Sequence, residues 1–528
     1  MLLVLLAAAL LATGCGKQPE KQGEDNAAAP AKEKVLVWAR SGDSVGLDPA
    51  NETDGESFYV TEQILEPLVK YKDENTEVVP GLAERWETSK DGKEWTFFLK
   101  KGVKFHDGTP FNAEAVKFNF DRWMDKNNPY HIGEFEYWQA MFGGFPGAVK
   151  SVDVVDEFTV KITLEKPMAP FIYNVAMSPF AIASPTAIKK YGEDFFKNPV
   201  GTGPFKFVEW VKDDHATVVK NDEYWGDKAK VDKIIFRVIP DNSARLMELQ
   251  AGTVDIMTGL NPDDVEGVKN NADLQLFLRP SMNVGYLAMQ TEKENLKETK
   301  VRQAISHAIN KQALIDAFYA GLAKPAKNPM PPSLWGYNDK VTDYEYDPAK
   351  AKALLAEAGL PKGFKTTLWA MPVARDYMPQ PKEIAQAIQK DLAAVGITAE
   401  IVTFDWGTYL EKGQKGEHDL YLLGWTGDNG DPDNFLFALL DKTNAVKGSA
   451  QNVAFYKSDK VHDLLAQAQT ELDQSKRAAL YEEAQEIIHQ DAPWVTLVHS
   501  TPPIAARNNI KGYIPHPTGT ETLNNIDK

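Results

Sequence analysis

Between Thr366 and Ile401 the chain changes period in a way that leaves one arrangement open. Thr366 to Met371 reads as a strand, Pro372 to Pro381 as a loop, and Lys382 to Val395 as a helix striped by Ile384, Ile388, Leu392 and Val395. Ile397, Ala399 and Ile401 then alternate with polar residues as a second strand. Strand, helix, strand is a parallel crossover unit, so part of this chain must be an open α/β sheet. In such sheets ligands bind in the crevice beyond the carboxyl ends of the strands. The loop after the first strand carries one basic residue, Arg375. A second loop, Gly424 to Asn434, is dense in Gly and Asp, holds Asp428 and directly follows the apolar run Leu420 to Leu423. One Arg and one Asp in two loops of this kind predict a site with a positive and a negative pole, suited to a small zwitterion.

The amino end is of another character. Residues 2 to 12 are an apolar run too short to span a bilayer, followed by Thr13-Gly14-Cys15 and the only cysteine in the chain. This pattern predicts a signal peptide over residues 1 to 14, resembling a lipobox in which Cys15 becomes the lipidated first residue. Residues 15 to 34 are polar and aperiodic, which predicts a disordered tether able to float the body roughly 20 to 25 Å from its anchor. The protein is thus expected on the extracytoplasmic face of a cell membrane, held by lipid. A net charge of −17 argues against nucleic acid or anionic lipid as the partner. With 12 Trp, 25 Phe and 18 Tyr there is more apolar bulk than one core needs, so two or three lobes are expected.

Periodicity divides the rest. Val35 to Ala39 is an opening strand, Glu52-Thr53-Asp54-Gly55 lies in a long loop, and Tyr59 to Val69 reads as helix. Asp91-Gly92 and Asp107-Gly108 are hairpin turns, Phe158 to Leu164 alternates as a half-buried strand, and Asn112 caps a helix bearing Val116, Phe120 and Trp123. The expected organisation is a first lobe begun by 35–64, an extra α+β subdomain over 65–200, a return to the first lobe over 201–280, a second lobe over 281–500 and a final return over 501–528.

Several motifs have plainer readings. Gly42-Asp43-Ser44-Val45-Gly46 matches a hydrolase pattern, but a nucleophile elbow needs a helix to begin at the serine, and Leu47 to Asn51 reads as extended loop. The nine His residues show no metal spacing. The Gly/Asp loop lacks the Glu at position twelve that an EF-hand requires, and Pro432 interrupts it. No catalytic residue, metal site or cofactor is therefore predicted. Asp431, Asp433 and Asn434 read as turn and cap residues.

Several blocks carry a family resemblance. Among them are Gly81 to Trp86, Lys104 to Phe111, Gly201 to Phe205, Gln250 to Asp255, and Val301 to Ala304 with Asn310-Lys311. With them the chain resembles the bacterial extracellular solute-binding proteins of the peptide ABC-transporter family, the group of dipeptide, oligopeptide, nickel, haem and glutathione receptors. Trp369 to Val373 before Arg375, and Gly424 to Pro432, are most similar to the dipeptide receptors. The resemblance implies an α/β, two-lobed periplasmic-binding-protein-like (Venus flytrap) fold with mixed sheets and an extra α+β subdomain. It implies a monomer that binds a dipeptide or short peptide and delivers it to ABC permease subunits. Arg375 would take the peptide carboxylate and Asp428 its ammonium. Tyr377, Trp425 and Gly427 would border the ligand, and Thr53, Asp54 and Gly55 would close on it from the other lobe. Glutathione, haem or a nickel chelate are alternative ligands on the same fold, and a secreted hydrolase using Ser44 is a remote one.

Overall fold

The computed structural model describes residues 33–519 and 521–528. The predicted signal peptide, Cys15 and most of the tether lie outside these residues. Two mixed sheets organise the chain. The first has seven strands, in the order Leu274–Leu278, Pro503–Arg507, Ile256–Met257, Val35–Arg40, Lys233–Val238, His215–Lys220 and Phe205–Val211. The second has six: Ala323–Pro325, Trp494–Ser500, Asn283–Met289, Leu420–Thr426, Lys365–Trp369 and Thr398–Val402. A four-stranded antiparallel sheet and a short hairpin, Val69–Tyr71 with Val78–Pro80, complete the strands.

The strand, helix, strand unit is present. Lys365–Trp369 pairs in parallel with Thr398–Val402, and the helix Pro381–Ala394 between them buries Ile384, Ile388 and Leu392. Asn283–Met289 lies in the middle of this sheet with all seven residues buried. A strand covered on both faces needs a continuous apolar run rather than an alternating one. The four-stranded sheet shows the other pattern, with Val160, Ile162 and Leu164 inward and the residues between them half-buried. Asn112 caps the helix Ala113–Met124 by accepting from the Ala115 N–H, and Val116, Phe120 and Trp123 enter the core of that sheet.

Three expectations need correction. The helix read as Tyr59 to Val69 runs instead over Gly55–Thr61, and Val69 begins a strand. Asp54 starts the helix by accepting from the Ser57 N–H at 3.0 Å, and Pro67 bars helical continuation toward Val69. Lys34 belongs to the body and not to the tether: its N–H donates to Asp232 at 2.8 Å and its ammonium pairs with Asp527 at 2.5 Å. Finally, a helix at Trp406–Gln414, capped by Asp405, fills a stretch to which no element had been assigned.

The chain passes between the two large sheets twice, from Leu278 to Asn283 and from Ser500 to Pro503. The crossings are bound together. Arg279 N–H donates to the Pro502 carbonyl at 2.9 Å, and the buried Asn283 amide accepts from both the Ser500 N–H (2.9 Å) and hydroxyl (3.1 Å) while donating to its carbonyl at 3.0 Å. Replacing Asn283 with Ala strands three buried polar groups of Ser500. This change should lower stability by about 1 to 3 kcal/mol, read from the urea midpoint at unchanged slope.

Candidate functional site

Lys365–Trp369 and Leu420–Thr426 are adjacent and parallel, with Trp369 opposite Tyr421, so the loops that follow them emerge side by side. The first loop folds back as a two-residue hairpin. Arg375 N–H donates to the Met378 carbonyl at 3.1 Å and Met378 N–H to that of Arg375 at 2.8 Å. Tyr377 at its tip turns inward and is buried, its ring lying where a Cβ on Gly424 would come within 2.2 Å. Only glycine permits that approach. Tyr377 is thus held beneath the loops, and its carbonyl accepts from the Tyr319 hydroxyl at 3.0 Å. Arg375 is left exposed, its guanidinium 5.1 Å from the ring centre of Trp406. Among the described residues it forms no ion pair.

Asp428 is half-buried in the second loop. One carboxylate oxygen accepts from the Tyr137 hydroxyl at 2.8 Å and the other from Asn434 Nδ2 at 3.0 Å. Asn434 also accepts from the Asp428 N–H and from the Trp425 indole, at 2.9 and 3.0 Å. Both donors to the carboxylate are neutral, and among the described residues no cation pairs with Asp428. Burial raises its carboxyl above the ordinary range, with Asn434 and Tyr137 pulling the other way. Gly427 N–H donates to the Met282 carbonyl at 2.8 Å, which ties this loop to the crossing between the sheets.

The rest of the loop is fixed from below. Arg477, from the helix Gln474–Asp491, forks onto both oxygens of the fully buried Asp431 at 2.8 and 2.9 Å. Burial works against the Arg477 charge, but Asp431 outweighs it and holds the guanidinium above its ordinary value. Asp433 is pushed up to about 7, by burial first and then by Asp431. Asp431 and Asn434 are therefore supports of the site, beyond the turn and cap roles their sequence suggested.

From the other lobe, the loop is met by residues that the sequence did not mark. Tyr137 reaches Asp428, Asn174 Oδ1 accepts from Asn429 at 3.0 Å, and Thr76 packs where a Cβ on Gly430 would fall within 2.4 Å of its side chain. The Phe58 ring lies 6.2 Å from that of Tyr137. Thr53 and Gly55 are exposed, and Asp54 is engaged as a helix cap. Ser44 begins no helix. Its hydroxyl accepts from Arg40 at 2.8 Å and faces the Glu56 carbonyl at 3.3 Å. Among the described residues no group of three His, Cys, Asp or Glu is placed to hold a metal, and no helix is long and apolar enough to cross a membrane.

Two α/β lobes joined by paired crossings, with loops at the strand ends facing the other lobe, define the two-lobed class of binding proteins. The chain belongs to the bacterial extracellular solute-binding proteins, family 5, whose model matches residues 77–447. It is 42% identical over 518 residues to the dipeptide-binding protein of Escherichia coli, covering 94% of this chain and 95% of that one. It is also 38% identical to heme-binding protein A of Haemophilus influenzae, over 99% and 97% of the two chains. A periplasmic binding protein of Helicobacter pylori solved with the peptide STSA superposes with a TM-score of 0.81 at 39% identity, covering 93% of this chain and 97% of that one.

Replacing Arg477 with Ala leaves the Asp431 charge buried and uncompensated. Denaturant unfolding should show a loss of about 3 to 5 kcal/mol, against less than about 1 kcal/mol for removal of the exposed Lys300 to Glu357 pair.

Proposed function

We propose that this protein is the receptor of an ABC importer for dipeptides or short peptides, binding them between its lobes and presenting them to a membrane permease without making or breaking a bond. The observation that carries this reading is the pair of opposite charges on neighbouring loops, Arg375 and Asp428, neither of which is paired with another charge of the protein among the described residues. A free peptide supplies both counterions. Its carboxylate would fork onto Arg375, and its ammonium would join Tyr137 and Asn434 around Asp428. Trp425 and Gly427 would flank the backbone, with Tyr377 supporting from beneath and the Thr53-Asp54-Gly55 segment closing from the opposite lobe. A charge buried without its partner costs several kcal/mol, so the fixed spacing of the poles selects for ligand length. Haem carries two anionic propionates and gives Asp428 nothing to pair with. Glutathione has both end groups and would compete for the same poles. We assign lipid anchorage through Cys15, on the outer face of the membrane, and a monomeric state to the same reading.

Calorimetry on protein unfolded and refolded to strip carried ligand tests it, with Ala-Ala titrated first and N-acetyl-Ala-Ala second. Acetylation removes the ammonium and should weaken binding at least about a hundredfold, equivalent to about 2.7 kcal/mol. Equal heats from the two peptides, or none from either, would refute the dipeptide assignment.

The raised carboxyl of Asp428 adds two consequences. Only the ionised form pairs with an ammonium, so affinity should fall on acidification through a pKa above that of an ordinary aspartate. Because folding raises this pKa, the charged form opposes folding on the alkaline side and the cost disappears as pH drops. Asp428→Asn should therefore match or exceed the parent in ligand-free melting temperature while losing peptide binding, with the Tyr137 hydroxyl free to reverse and accept from the new amide.

A further inference from the structure

The hairpin that presents Arg375 carries a second charge whose role the two poles do not explain. Asp376 is exposed and, among the described residues, makes no hydrogen bond or ion pair. Its neighbour Tyr377 turns down into the sheet, which leaves Arg375 and Asp376 on the cleft side of a tight two-residue turn. Desolvation by the surrounding protein raises the Asp376 carboxyl above the ordinary range, while Arg279 at the crossing and the adjoining Arg375 pull it the other way. Neither arginine is free to neutralise it. Arg279 is buried and paired with Glu521, and Arg375 is the group to which we assign the peptide carboxylate.

We infer that Asp376 reads the side chain of the ligand's carboxyl-terminal residue and favours lysine or arginine there. This rests on the dipeptide reading above. The α-carboxylate and the side chain leave the same Cα, so a peptide held by Arg375 places that side chain beside the adjoining residue. The Trp406 ring beneath Arg375 offers an apolar wall for a methylene stem, and Asp376 offers a counterion for its cationic tip. The same charge repels an acidic side chain, so selection works in both directions. The partners are exposed to solvent, which limits the effect to about two- to fivefold per charge.

Calorimetry with Ala-Lys, Ala-Ala and Ala-Glu tests this. The expected order of affinity is Ala-Lys, then Ala-Ala, then Ala-Glu, each step about two- to fivefold, and Asp376→Asn should bring each step close to one. Asp376→Lys should reverse the order. Equal affinities in the parent protein, or an unchanged order in both variants, would overturn the inference while leaving the poles intact. Failure of Ala-Ala itself to bind would instead remove the reading on which this one rests.

Discussion

The loop that carries Asp428 depends on one buried ion pair beneath it. The Gly/Asp loop contains Asp428, Asp431 and Asp433 within six residues, and a cation placed among them would quench all three. Arg477 approaches from beneath and spends both prongs of its guanidinium on Asp431. The loop backbone is fixed by that fork, by Asn429 accepting from Asp431 N–H and by Asp431 accepting from Asp433 N–H, while Asp428 stays clear of any cation. A rigid support with an unsatisfied charge on top is the arrangement a preorganised ion site requires. Under the proposed reading, the counterion that Asp428 lacks within the protein would be the ammonium of the ligand.

The crossover unit and the two loops were legible because periodicity and loop placement are local properties. Asn112 before Ala113 was legible for the same reason, since a cap acts within a turn of helix. The partners of Asp428 were not. Tyr137 lies 291 residues away and reaches the loop only after two sheets and a subdomain are in place. Nothing in the spacing of Trp406 marks it as the floor under Arg375. Nor does pattern show that Tyr377 is buried against Gly424, because the small size of that glycine matters only once the two strands are paired.

The loop that carries Asp428 is bonded to the crossing and faces the other lobe. Gly427, one residue before Asp428, is bonded to Met282 within the first crossing, and Asn283, the next residue, binds Ser500 at the end of the second sheet. The loop that carries Asp428 is thus tied directly to the crossing between the sheets. On the facing side, Tyr137, Asn174 and Thr76 meet the same loop from three separate elements. Under the proposed reading, closure and ligand contact would share these residues, so that binding at Asp428 would act directly on the lobe arrangement.

Each pole has an indole of its own. Trp406 lies under the Arg375 guanidinium, and Trp425 donates to the Asn434 that also holds Asp428. Under the proposed reading, a carboxylate on Arg375 would change the surroundings of the first ring and an ammonium at Asp428 those of the second, so each end of the cleft would have its own aromatic reporter.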